Sequence, residues 1–139
     1  MFSPTSYIPF YAATGTLLGS DHLLGHLKAV NPSIDGCDET CSQPLQPQNA
    51  SSSRVPTNYD AVDGGPDDPC HSFDCITQQI YGFAKPMGDK TSPVKMDGFV
   101  ANALAENGNV NFVMSAFNST NLPVLSSLAL EFAVFDHWQ

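Results

Sequence analysis

Basic side chains are scarce in this chain. Five Lys and Arg stand against 14 Asp and Glu in 139 residues, for a formal net charge of -9. The five (Lys28, Arg54, Lys85, Lys90 and Lys95) are scattered. A protein that follows a nucleic-acid backbone needs a positive field, so nucleic acid is excluded as a partner class. Adsorption to anionic lipid gains nothing from net charge, so any lipid contact must be local, one headgroup in a pocket. Long apolar runs are also missing, and none approaches the ~20 residues of a membrane span. The first 20 residues lack a basic n-region and are interrupted by Pro4 and Pro9, which makes no convincing signal peptide. There are no internal repeats. What is present is the composition of a folded domain: 42% hydrophobic, 10% aromatic and only 14% charged residues, at a length that suits one domain.

Four cysteines fall into two close pairs, Cys37/Cys41 and Cys70/Cys75. Even numbers in close pairs suit disulfides and an oxidising compartment. The local pairing joins 37 to 41 and 70 to 75, but four cysteines allow three pairings, and four free buried thiols are the alternative. Zinc is disfavoured, because the spacings are C-x3-C and C-x4-C with no second His at ligand spacing. Two sequons, Asn49-Ala50-Ser51 and Asn118-Ser119-Thr120, agree with a secreted or extracellular location. Pro32 disqualifies Asn31-Pro32-Ser33.

Periodicity organises the rest. Leu23, Leu24, Leu27 and Val30 share one helical face, predicting a helix over 21–30 with Asp21 as its cap and Asn31-Pro32 as its stop. Residues 31–70 hold more than half of the eleven prolines and read as a long loop, with short strands near Arg54–Val55. A second helix is expected over 72–81, with Phe73, Ile76 and Ile80 as its apolar stripe and Gly82 at its end. A third is expected within 96–106, where Phe99, Val100, Ala103 and Leu104 are helically spaced. The segment 110–116 is ambiguous between strand and helix. Pro123 suits the first turn of a further helix, and 131–136 reads as a short buried strand ending in Asp136. A helix followed by a strand with an exit acid is an α/β rhythm, but too few strands are present for a sheet. The chain therefore reads as a helical, loop-rich portion of a larger α/β protein.

Five motifs then occur in order. Ser20-Asp21-His22-Leu23-Leu24-Gly25 resembles the tail of the signature E-N-R-S-F-D-H-x-x-G of the phosphoesterase family that holds bacterial and plant non-specific phospholipases C and related acid phosphatases. Asn31-Pro32-Ser33-Ile34-Asp35-Gly36 resembles its N-P-x-I-D-G. Asp68-Pro69-Cys70-His71-Ser72 resembles D-P-x-H-S, and Met96-Asp97-Gly98-Phe99-Val100-Ala101-Asn102 resembles M-x-G-F-x-x-N. Met114-Ser115-Ala116-Phe117, Leu122-Pro123-Val124 and 131–138 resemble the run leading to the family nucleophile.

The resemblance implies an N-terminal portion, residues 20–139, of an alkaline-phosphatase-like α/β/α sandwich, after a divergent lead-in at 1–19. It implies hydrolysis of phosphate esters by a Ser or Thr nucleophile beside a divalent metal ion, with a phospholipid or a small phosphate ester as substrate. Carried over residue by residue, His71 is a phosphate contact, against the alternative of a histidine capping its own helix. Asp21 and His22 support the metal loop, against an N-cap and a surface His. Asn102 occupies a motif position, against a solvent-facing helix Asn, and Asp136 is the strand-end acid. The signature's metal-binding Glu-Asn falls on Thr16 and Leu17, which are poor ligands for a hard cation, and the nucleophile and later acidic ligands have no counterpart in this sequence. The chain is therefore expected to bind no metal and to be inactive alone. The alternatives are a non-catalytic fragment that binds a phosphorylated headgroup, or a product that does not fold stably.

Overall fold

The computed structural model describes residues 19–34, 37–64, 69–83 and 91–134. Thr16, Leu17 and Asp136 lie outside them. The described elements are α1 (Gly19–Leu24), β1 (Ser42–Pro44), β2 (Arg54–Pro56), α2 (Phe73–Tyr81), α3 (Phe99–Ala105), α4 (Val110–Val113) and α5 (Pro123–Glu131). The protein mixes helix and strand, and its one sheet among the described residues is the antiparallel pair β1–β2, with Gln43 opposite Val55.

The expected helix over 21–30 divides. α1 begins at Gly19, so Asp21 lies in its first turn and is not its cap, and from Gly25 to Ala29 the chain tightens into a 3-10 helix. Gly25 explains why this turn fits: a Cβ there would overlap the Cys37 carbonyl. Leu27 is buried, whereas Leu23 and Val30 are exposed. The loop over 31–70 contains the hairpin, and Val55 is its inward residue between exposed Arg54 and Pro56.

Val55 enters the core with Val100, Ala103, Val113, Met114 and Ala116, flanked by Leu45, Tyr59 and Val110. The ambiguous segment 110–116 takes both conformations. Asn109 caps α4 through bonds from the N–H groups of Asn111 and Phe112, and Ser115 then forms a parallel bridge with Asn58. Asn58 N donates to Met114 O at 3.0 Å, and Ala116 N donates to Asn58 O at 2.8 Å.

Pro123 starts α5 as expected, but Glu131 ends it, so the strand expected from 131 is not formed over the described residues 131–134. α5 turns Ser126 inward and leaves Val124, Leu128, Leu130 and Phe132 exposed. Its buried contact is polar because a histidine faces it: His26 Nε2 lies 3.0 Å from Ser126 Oγ. No helix among the described residues is long and apolar enough to cross a membrane.

Candidate functional site

Sequence-local chemistry shapes the entrance to α2. Ser72 is its N-cap, in extended backbone geometry, and its Oγ accepts from Cys75 N at 3.2 Å. This removes the alternative of His71 as a cap: His71 sits one residue earlier and is exposed. The Cys70–Cys75 disulfide ties the residue before His71 to the third residue of the helix, and Cys37–Cys41 closes the second local loop. All four cysteines are thus paired locally, and none is a free thiol.

Behind this entrance runs a chain of amides. Gln79 Nε2 donates to Cys70 O at 3.1 Å and to Asn102 Oδ1 at 2.9 Å. Asn102 Nδ2 in turn donates to Gln78 Oε1 at 3.0 Å. Asn102 is 2% exposed and Gln79 3%, so Asn102 does not face solvent. Buried amides must be hydrogen-bonded, and here their bonds join α3 to α2 and hold the Cys70 carbonyl. The buried face of α2 is therefore Cys75 and Gln79. Phe73, expected in the apolar stripe, is 79% exposed, and Ile76 and Ile80 are half-buried.

The motif before α3 packs on the other end of α2. Lys95 N and Met96 N both donate to Ile80 O, and Gly98 N donates to Gln79 O at 3.0 Å. Gln43 Oε1 accepts from Phe99 N at 3.0 Å and its Nε2 donates to Met96 O at 2.9 Å, so a β1 side chain ties down the first turn of α3. Nothing in the polar sequence around Gln43 signals that role.

Asp21 and His22 form a separate cluster. Asp21 is 6% exposed, and its Oδ1 accepts from Cys37 N at 2.6 Å. His22 is half-buried; its Nδ1 lies 2.8 Å from Ser115 O, its carbonyl accepts from Phe117 N, and its ring meets that of Phe117 edge-on at 4.8 Å. Asp21 is therefore not the N-cap, and His22 not the surface group, that the alternatives supposed. Together they fasten α1 to the 115–117 strip and to the Cys37 loop.

His26 carries a testable electrostatic consequence. Burial pushes its imidazole pKa down, partly offset by the Phe117 carbonyl. Its pKa is lower folded than unfolded, so the unfolded chain takes up the proton first. The contribution is complete above the unfolded value of about 6.5 and is lost as pH falls through the folded one. The melting temperature should therefore drop between about pH 7.5 and about pH 5.5, and His26→Gln should flatten that part of the profile. An unchanged slope would exclude His26 as its source. Asp38, held below the usual carboxylate range by the Thr40 hydroxyl and then the Thr40 N–H, acts in a more acid window.

Among the described residues, the metal-ligating donors that converge are Cys70, Cys75 and Glu106, within 4.8 Å of one another. Both sulfurs are in a disulfide and offer no thiolate, which leaves one exposed carboxylate. Asp21 already accepts the Cys37 N–H. These residues do not fit a resident divalent cation.

A mixed α and β protein with a histidine at a helix entrance, braced by buried amides, is the class of molecule so far defined. A model of the Phosphoesterase family matches residues 19–139, and the chain belongs to that family. It is 41% identical over 119 residues to Non-specific phospholipase C1 of Arabidopsis thaliana, covering 85% of this chain and 21% of that protein. It is 39% identical over 125 residues to Non-specific phospholipase C3 and 40% over 120 residues to Non-specific phospholipase C6 of the same plant, covering 85% of this chain and 23% and 21% of theirs. The chain thus spans about a fifth of the length of these curated relatives.

Proposed function

We propose that these residues are the N-terminal portion of a phosphoric-ester hydrolase of phospholipase C type, acting on a phospholipid to release diacylglycerol and a phosphorylated headgroup. The observation that carries this reading is the family match across 19–139 together with identity to the plant phospholipases C. In the complete protein the portion would belong to an alkaline-phosphatase-like α/β/α sandwich. The exposed apolar side chains of α5 support this, because a helix with Val124, Leu128 and Leu130 outward suits a surface covered by further chain.

Within that reading His71 donates a hydrogen bond to a phosphate oxygen. Its place ahead of a nine-residue helix is favourable for an anion, since a helix N-terminus carries partial positive charge. Asn102 acts behind it, through Gln79 and the Cys70 carbonyl. Asp21 and His22 shape the loop after the signature, and Asp136 is the acid that precedes the nucleophile segment. A divalent cation held by a complete ligand set would supply Lewis-acid polarisation of the phosphoryl group, and the donors among the described residues do not make up such a set. The disulfides and sequons support a secreted or extracellular setting.

The purified 139-residue chain should give no turnover of phosphatidylcholine or p-nitrophenyl phosphate, with or without added divalent metal. Metal-dependent turnover would overturn the claim that catalysis needs residues beyond these. A second reading, headgroup binding without catalysis, is favoured by Thr16 and Leu17 standing where the signature has Glu-Asn. It requires binding of a phosphate ester that His71→Ala abolishes.

A further inference from the structure

We propose that Asn49 carries an N-linked glycan and that Asn118, the other sequon asparagine, does not. Asn49 sits at the tip of the loop joining β1 to β2, with Gln48, Asn49, Ala50 and Ser51 all exposed. The loop has a defined shape: Leu45 N donates to Ser53 O at 2.9 Å, Gln46 N to Ser52 Oγ at 2.9 Å, and Asn49 N to Gln46 O at 2.9 Å. Asn49 Oδ1 accepts from Ser51 N at 3.0 Å, which orients the amide, while Nδ2 makes only a long contact of 3.5 Å with Gln46 Oε1. The reactive nitrogen is therefore the loosely held atom of an exposed side chain.

Asn118 shares the bond from the N–H two residues on to its Oδ1, but it is more enclosed and more tied down. It is half-buried, its Oδ1 accepts from both Thr120 N and Asn121 N, and its own N–H donates to Asn121 Oδ1. It follows Phe117, whose N–H donates to the His22 carbonyl, so a sugar there would crowd the joint that holds α1.

A second, independent observation concerns compartment. Both cysteine pairs are disulfides, the state favoured in the oxidising lumen where asparagine glycosylation occurs. The position is also compatible with the proposed site. Gln48 Nε2 donates to Gly82 O, at the C-terminal end of α2, whereas His71 precedes the other end. A nine-residue helix of roughly 13 Å separates them, so the attachment point lies at the end of α2 away from the His71 entrance.

The transfer balances without redox change. Asn49 Nδ2 bonds to the anomeric carbon of an oligosaccharide carried on a lipid diphosphate. The bond from that carbon to the diphosphate oxygen breaks, the lipid diphosphate leaves, and Nδ2 gives up one proton.

The test uses the protein made in the cells of its own source, before and after peptide:N-glycosidase treatment, with the released sites mapped by mass spectrometry. The expected result is a single mobility shift and a single deamidated asparagine, at position 49. Asn49→Gln and, independently, Ser51→Ala should abolish the shift, and Asn118→Gln should leave it intact. Absence of any shift in the unaltered protein, or a shift that survives Asn49→Gln, overturns the proposal.

Discussion

Gly98→Ala should destabilise the fold by about 3 kcal/mol, the upper range for forcing added volume into packed structure. The reason is space rather than backbone conformation, since Gly98 has φ -100, which any residue adopts. A Cβ there would overlap the Gln78 carbonyl oxygen and come within 2.9 Å of its carbon and 3.0 Å of Gly82 Cα. All three are main-chain atoms of α2 or its cap and cannot rotate away. α3 would have to move off α2, which would stretch the Gly98 N–H bond to Gln79 O and the amides joining Asn102 to Gln78 and Gln79. Leaving such amides unpaired costs about 1–3 kcal/mol each. Urea unfolding followed by circular dichroism would measure the loss. Gly64→Ala is the control: Gly64 has φ +68 but nothing within 4 Å of an added Cβ, so only the conformational penalty of about 1 kcal/mol applies. If the two variants are equally stable, the close approach of α3 to α2 is not what this fold depends on.

What the sequence made legible followed from local chemistry. Gly82 and Pro123 each bound a helix where backbone physics puts them, a left-handed terminus at φ 75 and a first-turn proline, whereas the sequence left the start of α2 open and the structure gives the cap to Ser72. The family motifs also singled out Asp21, His22 and Asn102, each of which the structure holds by hydrogen bonds, although their roles came from resemblance and not from periodicity. The face of α2 was not legible, because hydrophobic spacing selects Phe73 whereas the fold buries Cys75 and Gln79. A buried amide network has no apolar period, and its partner Asn102 is 23 residues away from Gln79. Gln43 was invisible for the same reason, its partners Met96 and Phe99 being more than 50 residues distant. The segment 110–116 could not be resolved by pattern, since a short apolar run fits a helical turn and an extended strip equally well. The strand read from 131 onward rested on apolar character alone. Phe132 is 71% exposed, and no strand among the described residues pairs with this segment to bury it.

His71 offers the largest functional effect, and its test bears on the whole reading. An imidazole that donates to a phosphate oxygen stabilises charge as it develops, and loss of one such donor costs about 100-fold or more in kcat. The residue is exposed and outside the hydrophobic core, so its replacement should leave the fold unchanged. The direct measurement places residues 20–134 in the matching segment of Arabidopsis Non-specific phospholipase C1, with that protein's own residues on either side. The graft should hydrolyse phosphatidylcholine, and His71→Ala within it should lower kcat by about 100-fold or more at unchanged melting temperature and metal content. A His71→Ala graft as active as its parent would contradict the assignment of this helix entrance as a phosphate contact.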